Sequence, residues 1–227
     1  MARLRVHNFA ISIDGYAAGP RQTLERPLGE GGSGLHEWVF ATPYGRRMIG
    51  QEVPDTGGAD AQGTEVGDDV DDAFLTRGDV GIGATIMGRN MFGPVRGPWP
   101  DYDWTGWWGD EPPYHHPVFV LTHHVRPPLE MVGTTFHFVT EGPEAAYEQA
   151  MEAAEGADVR VGGGAATVQQ YLRLGLVDEM HIAIVPVLLG SGERLFDGLG
   201  AAPPPYECVE LVSSPAVVHA RFVRTRD

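Results

Sequence analysis

Short apolar runs alternate along the chain with longer amphipathic stretches, and the period of each run predicts its structure. Leu4 to Ile13 alternates, is β-rich and stops at Asp14-Gly15, so it reads as the first strand. Residues 15–34 are rich in glycine and polar side chains and read as a loop. Leu35 to Met48 reads as a helix broken near Pro43, and 50–67 as an exposed loop. Asp68 to Arg77 has acids in its first turn and a basic end, which suits a helix dipole. Ala84 to Met87, Val118 to Thr122 and Thr135 to Thr140 read as strands. Tyr147, Ala150, Met151 and Ala154 recur at helical spacing and predict a helix over 144–155, opened by Pro143. Val159 to Val161 is a strand, and the helix that follows buries Val168, Tyr171 and Leu172 before Gly175 caps it. Met180 to Val185 is a further strand. Tyr206 to Val212 and Val217 to Val223 pair as a terminal antiparallel hairpin around Ser213-Ser214-Pro215.

Strands alternating with helices imply an α/β fold: a mixed, mostly parallel sheet flanked by helices, with the hairpin antiparallel at its C-terminal end. No internal repeat or composition break divides the chain. Residues 1–227 therefore read as a single domain with loop insertions near 19–34, 50–67 and 93–117. The last insertion holds Trp99, Trp104, Trp107 and Trp108 with little periodicity. Disordered segments are poor in aromatics, so it reads as an ordered loop: a lid over the substrate, a dimer contact or a small satellite core, a mixture of lid and dimer contact being the favoured reading.

The most informative stretch is Val161-Gly162-Gly163-Gly164-Ala165-Ala166-Thr167, where a strand passes through three glycines straight into a helix. Without Cβ atoms the backbone admits a ligand closely, and the helix start offers unpaired N–H groups and a positive dipole end. A phosphate or pyrophosphate is the natural guest. A tight turn with no ligand is the competing reading.

Charge narrows the partners. Lys plus Arg total 16 against 31 Asp plus Glu, a formal charge of -15 at pH 7. Such a surface repels nucleic acid and anionic lipid, so neither nucleic acid nor membrane is expected as a partner. An anionic ligand would need a local basic pocket. No run is long and apolar enough for a membrane helix, and the N-terminus lacks a signal-type apolar region. The single cysteine, Cys208, excludes an internal disulfide and a multi-cysteine zinc site, and it suits a reducing, cytoplasmic location. The pairs His115-His116 and His123-His124 point to opposite faces if they lie on strands, and no metal site is expected. Gly31-Gly32-Ser33-Gly34-Leu35 fails the nucleophile-elbow pattern at its last place, and no Lys-Ser/Thr follows the three glycines.

Four pieces then stand in order. They are Ser12-Ile13-Asp14-Gly15, Met87-Gly88-Arg89-Asn90-Met91-Phe92, Val161-Gly162-Gly163-Gly164, and Val177-Asp178-Glu179 followed by Pro186 to Gly192. Together they resemble the dihydrofolate-reductase-like superfamily. The nearer likeness is to the reductase domain of the bifunctional riboflavin-biosynthesis deaminase-reductase. The resemblance implies an NADPH-dependent reductase of a small heterocyclic substrate, the reference reaction being reduction of 5-amino-6-(5-phosphoribosylamino)uracil. A dihydrofolate or pterin reductase and a non-catalytic nucleotide-binding protein are the alternatives. The zinc ligands of the deaminase half are missing, so a free-standing reductase-like protein is implied, and a homodimer with it.

By the same resemblance Gly88, Arg89 and Asn90 would serve the adenosine 2′-phosphate, as a guanidinium fork does well. Gly162, Gly163, Gly164, Ala165, Ala166 and Thr167 would cradle the pyrophosphate. Thr122 would lie near the adenosine ribose, and Ala10 against the nicotinamide. Asp14 would be catalytic, helping supply a proton, or would be a turn residue bonding its own backbone. Glu37 is a second candidate acid. Ser12, Asp14, Leu189, Gly190 and Ser191 would line the substrate pocket. Arg21, Arg26, Arg46, Arg47 and Arg194 are unranked candidates for holding a phosphorylated tail.

Overall fold

The computed structural model describes residues 2–51, 70–93, 96–200 and 205–225. The expected loop at 50–67 lies almost wholly outside them. Nine of the eleven described strands form one sheet. In chain order the strands are β1 (Leu4–Ser12), β2 (Tyr16–Ala18), β3 (Ile82–Gly88), β4 (Val118–Leu121), β5 (Leu129–Met131) and β6 (Thr134–Val139), then β7 (Asp158–Gly163), β8 (Glu179–Val185), β9 (Glu193–Arg194), β10 (Tyr206–Ser213) and β11 (Val218–Arg224). The helices are α1 (Glu37–Ala41), α2 (Pro43–Met48), α3 (Val70–Asp79), α4 (Arg89–Phe92), α5 (Pro143–Ala153) and α6 (Ala165–Arg173). Across the large sheet the order is β10-β11-β8-β1-β7-β3-β4-β6-β5. Its six central strands run parallel, with the antiparallel β10–β11 hairpin on one edge and β5 on the other. The α/β architecture read from the sequence stands, and the break at Pro43 separates α1 from α2.

The sequence pattern missed the smallest elements. β2, inside the segment read as loop, pairs with β9 in a separate two-stranded sheet, and α4 follows β3 without a gap. Strands of two or three residues leave no period to detect.

β1 shows how patterning places side chains. Leu4 and Val6 pack in the main core, and so do Phe9 and Ile11, a switch from even to odd positions. The pairing of β1 with β8 shifts register between Val6 and Phe9, where Asn8 has a φ of 56°. One extra residue in a strand reverses which face the following side chains occupy. The irregularity turns Asn8 toward α3, where its Nδ2 donates to the Leu75 carbonyl at 3.2 Å.

Three apolar clusters hold the layers. The largest packs α5 and α6 on one face of the sheet through Ala146, Ala150, Ala154, Val168, Tyr171 and Leu172. The second packs α1 and the short 3₁₀ turn at Gly32–Leu35 against β1 and β8 through Leu35, Trp38, Val39, Ala183 and Val185. The third joins Phe92, Tyr114 and Phe136 to Trp99, Trp104 and Trp108. The tryptophans of this loop therefore build a small satellite core, one of the three readings, while Arg96 and Gly97 of the same loop line a cavity. Trp108 stacks on Phe136, and the indole N–H groups of Trp104 and Trp107 donate to the carbonyls of Phe92 and Met91. These two indole donors tie the loop to α4.

Candidate functional site

The parallel strands bring their carboxyl ends to one side of the sheet, and two cavities open there. Ligands of open α/β sheets bind in such crevices. The larger cavity, about 360 Å³, is lined by the end of β3 (Gly88, Arg89, Asn90), Arg96 and Gly97, the end of β4 (Leu121 to His124), and Gly164, Ala166, Thr167 and Gln170 at the start of α6. The smaller, about 160 Å³, is lined by Asn8, Phe9 and Ala10 of β1, by Ala17 and Ala18, by Gly162 to Ala165, and by loop residues including Gln22, Leu28 and His36. Asn90, Gly164 and Glu193 line both, so the two adjoin at the glycine turn.

Glycine is required at that turn. Gly163 has a φ of 135°, which L side chains rarely adopt, and the Gly163–Gly164 peptide is cis. Gly88 is required for another reason: a Cβ there would sit 2.3 Å from the Thr167 Oγ1, so only a bare backbone lets β3 lie this close to α6. Gly164 caps α6 without any side-chain hydrogen bond. The first amides of a helix have no partner within it, and here Ala165 and Ala166, which carry them, line the two cavities, while the Thr167 amide already donates to the Gly164 carbonyl.

Electrostatics sets the larger cavity apart. Arg89 stacks over the Trp99 ring, its Cζ 3.6 Å from the centroid, and one guanidinium nitrogen donates to the Gly97 carbonyl. Its Nε and Nη2 are buried with no hydrogen-bond partner. Burial first, then the like charges of Arg126 and Arg96, lower its pKa. Among the described residues no carboxylate lies within ion-pair distance of Arg89, Arg96 or Arg126, although the other charged groups of the strands are densely paired. Of these, Arg89 and Arg96 line the cavity, and two such guanidinium groups in so acidic a chain make a local anion trap. Arg126 is held by the carbonyls of Tyr102 and Trp104 and lies among the rings of Trp99, Phe138 and Phe92.

The eleven residues expected to hold the cofactor (Ala10, Gly88, Arg89, Asn90, Thr122, Gly162, Gly163, Gly164, Ala165, Ala166 and Thr167) all line one cavity or the other. Those expected for catalysis and substrate do not. Ser12, Asp14, Leu189, Gly190 and Ser191 line neither. Asp14 accepts hydrogen bonds from the Ser12 hydroxyl at 2.6 Å and from the amides of Leu189 and Gly190 at 3.1 and 2.7 Å. The Ser12 bond first, with the two amides helping, lowers its pKa to about 2. Asp14 is thus a turn residue clasping the 186–192 segment, and a carboxylate so held is a poor proton donor. Leu189 packs instead against the second core cluster. Glu37 is exposed on α1 and lines neither cavity, whereas His36 beside it lines the smaller one. Arg21 and Arg26 pair with Glu30, and Arg194 lies over the Tyr16 ring.

Sequence reasoning missed Asn8, Gln22, His36, Arg96 and Glu193. None stands in a motif. The one available signal was Arg96, a basic residue in an acidic chain a few residues beyond Arg89.

The donors fit an adenosine phosphate at Arg89 and Arg96 in the larger cavity and a pyrophosphate at the helix start, where Ala166 lines the larger cavity and Ala165 the smaller. That donor set, with orphaned guanidinium hydrogens and uncapped amides, suits an anionic dinucleotide.

Comparisons with known proteins agree with this fold. The chain is 22% identical to a protein assigned to riboflavin biosynthesis from Shewanella sp. PV-4, over all of both chains, with a TM-score of 0.58. It is 11% identical to the diaminohydroxyphosphoribosylaminopyrimidine deaminase/5-amino-6-(5-phosphoribosylamino)uracil reductase of Thermotoga maritima, with a TM-score of 0.53, covering 99% of this chain and 57% of that one. It is 34% identical to YwjB of Bacillus subtilis (strain 168) over 62 residues, so the match spans 27% of this chain and only 35% of that relative. These solved neighbours share the fold of this chain. Residues 5–219 match the RibD C-terminal domain, and the chain belongs to that family.

Proposed function

We propose that the protein is an NADPH-dependent reductase of a small heterocyclic molecule. The observation that carries this reading is the union of two unlike cavities at Gly164. One is cationic and rich in free N–H groups. The other has apolar walls from Phe9, Ala10, Leu28 and Met91. A dinucleotide has that same polarity: charged phosphates toward one end and a flat ring at the other.

Bound NADPH would supply a hydride to the carbon of a C=N or C=O bond, a proton going to the heteroatom. The chain's own residues would bind and orient. Arg89 and Arg96 would take the 2′-phosphate, and Ala165, Ala166 and Thr167 the pyrophosphate. Ala10 and the Gly162–Gly164 backbone would wall the nicotinamide. Gln22 Oε1 accepts from Asn90 Nδ2, which ties the loop after β2 to α4 across the junction. A cytoplasmic homodimer completes the reading; the lone cysteine and the family resemblance support it.

Tryptophan fluorescence tests the proposal, since Trp99 lies on Arg89. NADPH should quench it. Arg89→Ala should weaken NADPH more than NADH by about 1.5–3 kcal/mol, the cost of a charged hydrogen bond. Equal losses for the two coenzymes would remove the 2′-phosphate from this site.

A further inference from the structure

The smaller cavity has chemistry of its own. Its lining holds no cationic side chain, only the carboxylate of Glu193. This is informative because every basic residue of the chain is an arginine, and each described arginine near the cavity is engaged elsewhere. Arg21 and Arg26 are paired with Glu30, and Arg194 is stacked on Tyr16. The phosphate-binding capacity of the cleft thus lies wholly on the other side of Gly164.

The polar side chains of the small cavity can be taken one at a time. The Asn8 Nδ2 is spent on the Leu75 carbonyl, and its Oδ1 lies against the His181 ring, 3.1 Å from Nδ1. Gln22 and Asn90 are spent on each other. Glu193 stands at the junction, 3.9 Å from where a Cβ on Gly164 would be. That leaves His36. Its backbone opens α1, donating to Ser33 and accepting from Val39, while its Nδ1 is buried with no partner. Burial lowers its pKa to about 4, so at neutral pH the ring is uncharged. An uncharged imidazole has one N–H to give and one lone pair to receive. A buried polar atom left without a partner is costly, and a ligand that supplies one recovers that cost.

We propose that the molecule bound in the smaller cavity is a flat, uncharged heterocycle without a phosphate group, and that His36 hydrogen-bonds its polar edge. The proposal rests on the reductase reading for the identity of the neighbouring cavity, but its test does not depend on turnover. Placing a phosphate monoester beside Glu193, with no cationic side chain in the lining and the flanking Arg21 and Arg26 paired to Glu30, would set like charges together. His36 is then a substrate contact that selects the ring, not a proton donor, because a ring held neutral has no spare proton at pH 7.

The probes are 5-amino-6-(5-phosphoribosylamino)uracil and its dephosphorylated nucleoside, titrated calorimetrically into the protein with and without saturating NADP⁺. The affinity for NADP⁺ is measured first and separately; its absence sinks the reductase reading and leaves the nucleoside titration to be judged alone. The nucleoside should bind at least about tenfold tighter than the phosphorylated compound, an order of magnitude typical of one unfavourable buried charge contact. Tighter binding of the phosphorylated form, or no binding of either, overturns the proposal. His36→Ala should weaken the nucleoside by roughly five- to tenfold, the scale of one neutral hydrogen bond, with NADP⁺ affinity unchanged, and His36→Gln should recover part of the loss. If His36→Ala folds with an unchanged melting curve and binds the nucleoside as the parent does, the assignment of His36 is wrong.

Discussion

Lowering the pH from 7.5 to 5.0 should destabilise the protein by several kcal/mol, through histidines the fold keeps neutral. His181 is the clearest case. It has no solvent exposure and stacks on Phe74 and His219. The Asn8 amide donates to its Nδ1 at 3.2 Å, and a backbone N–H can only donate, so that nitrogen carries the lone pair. Its Nε2 proton then goes to His219 Nδ1 at 2.9 Å, and His219 Nε2 donates to Asp71 at 2.9 Å. Every nitrogen of the pair is used in one direction, and an added proton on His181 breaks the order. The groups facing it are unfriendly to charge. Burial first, then His7, His219, Arg77 and Arg221, push its pKa down to about 2. Burial likewise lowers His36 and His116 to about 4. A histidine held neutral stabilises the fold fully above its unfolded pKa near 6.5 and loses that contribution as pH falls below it. At pH 5.0 the loss is about 2 kcal/mol for a fully buried ring. His36 and His116 are partly exposed and should give less each, so the sum is about 4–6 kcal/mol. Glu179, whose bond from His7 lowers it to about 2, loses its contribution only below about pH 4.5 and stays out of this window. A domain of ordinary stability holds ~5–15 kcal/mol, so much of the margin would go. Urea unfolding followed by tryptophan fluorescence and far-ultraviolet dichroism at pH 7.5, 6.0 and 5.0 measures it. His116→Asn should flatten the profile by up to about 2 kcal/mol. A free energy of unfolding equal at pH 7.5 and 5.0 would refute the claim that these rings resist protonation.

Three further outcomes follow from the same contacts. Gly88→Ala places a Cβ against Thr167 and should push α6 from β3, weakening NADPH at least about tenfold in a fluorescence titration while the far-ultraviolet spectrum is kept. Asp14→Ala should lower the melting temperature by freeing the 186–192 segment, yet leave coenzyme affinity unchanged; a loss of coenzyme binding would return Asp14 to the site. Tyr171→Phe removes the hydroxyl that donates to the Pro143 carbonyl at 2.9 Å and should cost about 1 kcal/mol in urea unfolding, with no change in ligand binding.

The features legible in the sequence are those that constrain the main chain. A residue that must lack a Cβ, such as Gly88 or Gly163, has no substitute, so the phosphate side of the cleft can be read from glycines and the arginine beside them. The central strands were legible for a similar reason, since a long buried run leaves a strong apolar signature. The ring side of the cleft is built otherwise. Asn8 reaches it through a strand irregularity, Gln22 and His36 from a loop and a helix start, and Glu193 from a two-residue strand. Each is an ordinary residue in an ordinary local setting, and only the tertiary fold gives it a role. Asp14 shows the converse. An aspartate two residues after a serine at a strand end looks the same whether it serves a substrate or clasps a turn. Its lowered pKa adds nothing to the choice, because amides that close a loop lower a carboxylate's pKa as amides in an active site do. What decides is where the oxygens point. Both are spent on the 189–190 amides, and β1 lines the cavity only through Asn8, Phe9 and Ala10, short of the Asp14 turn. In this family member the glycine turn between the two cavities is therefore a backbone property that the sequence displays. The lining of the smaller cavity is a side-chain property assembled from four separate segments, which a single sequence hides.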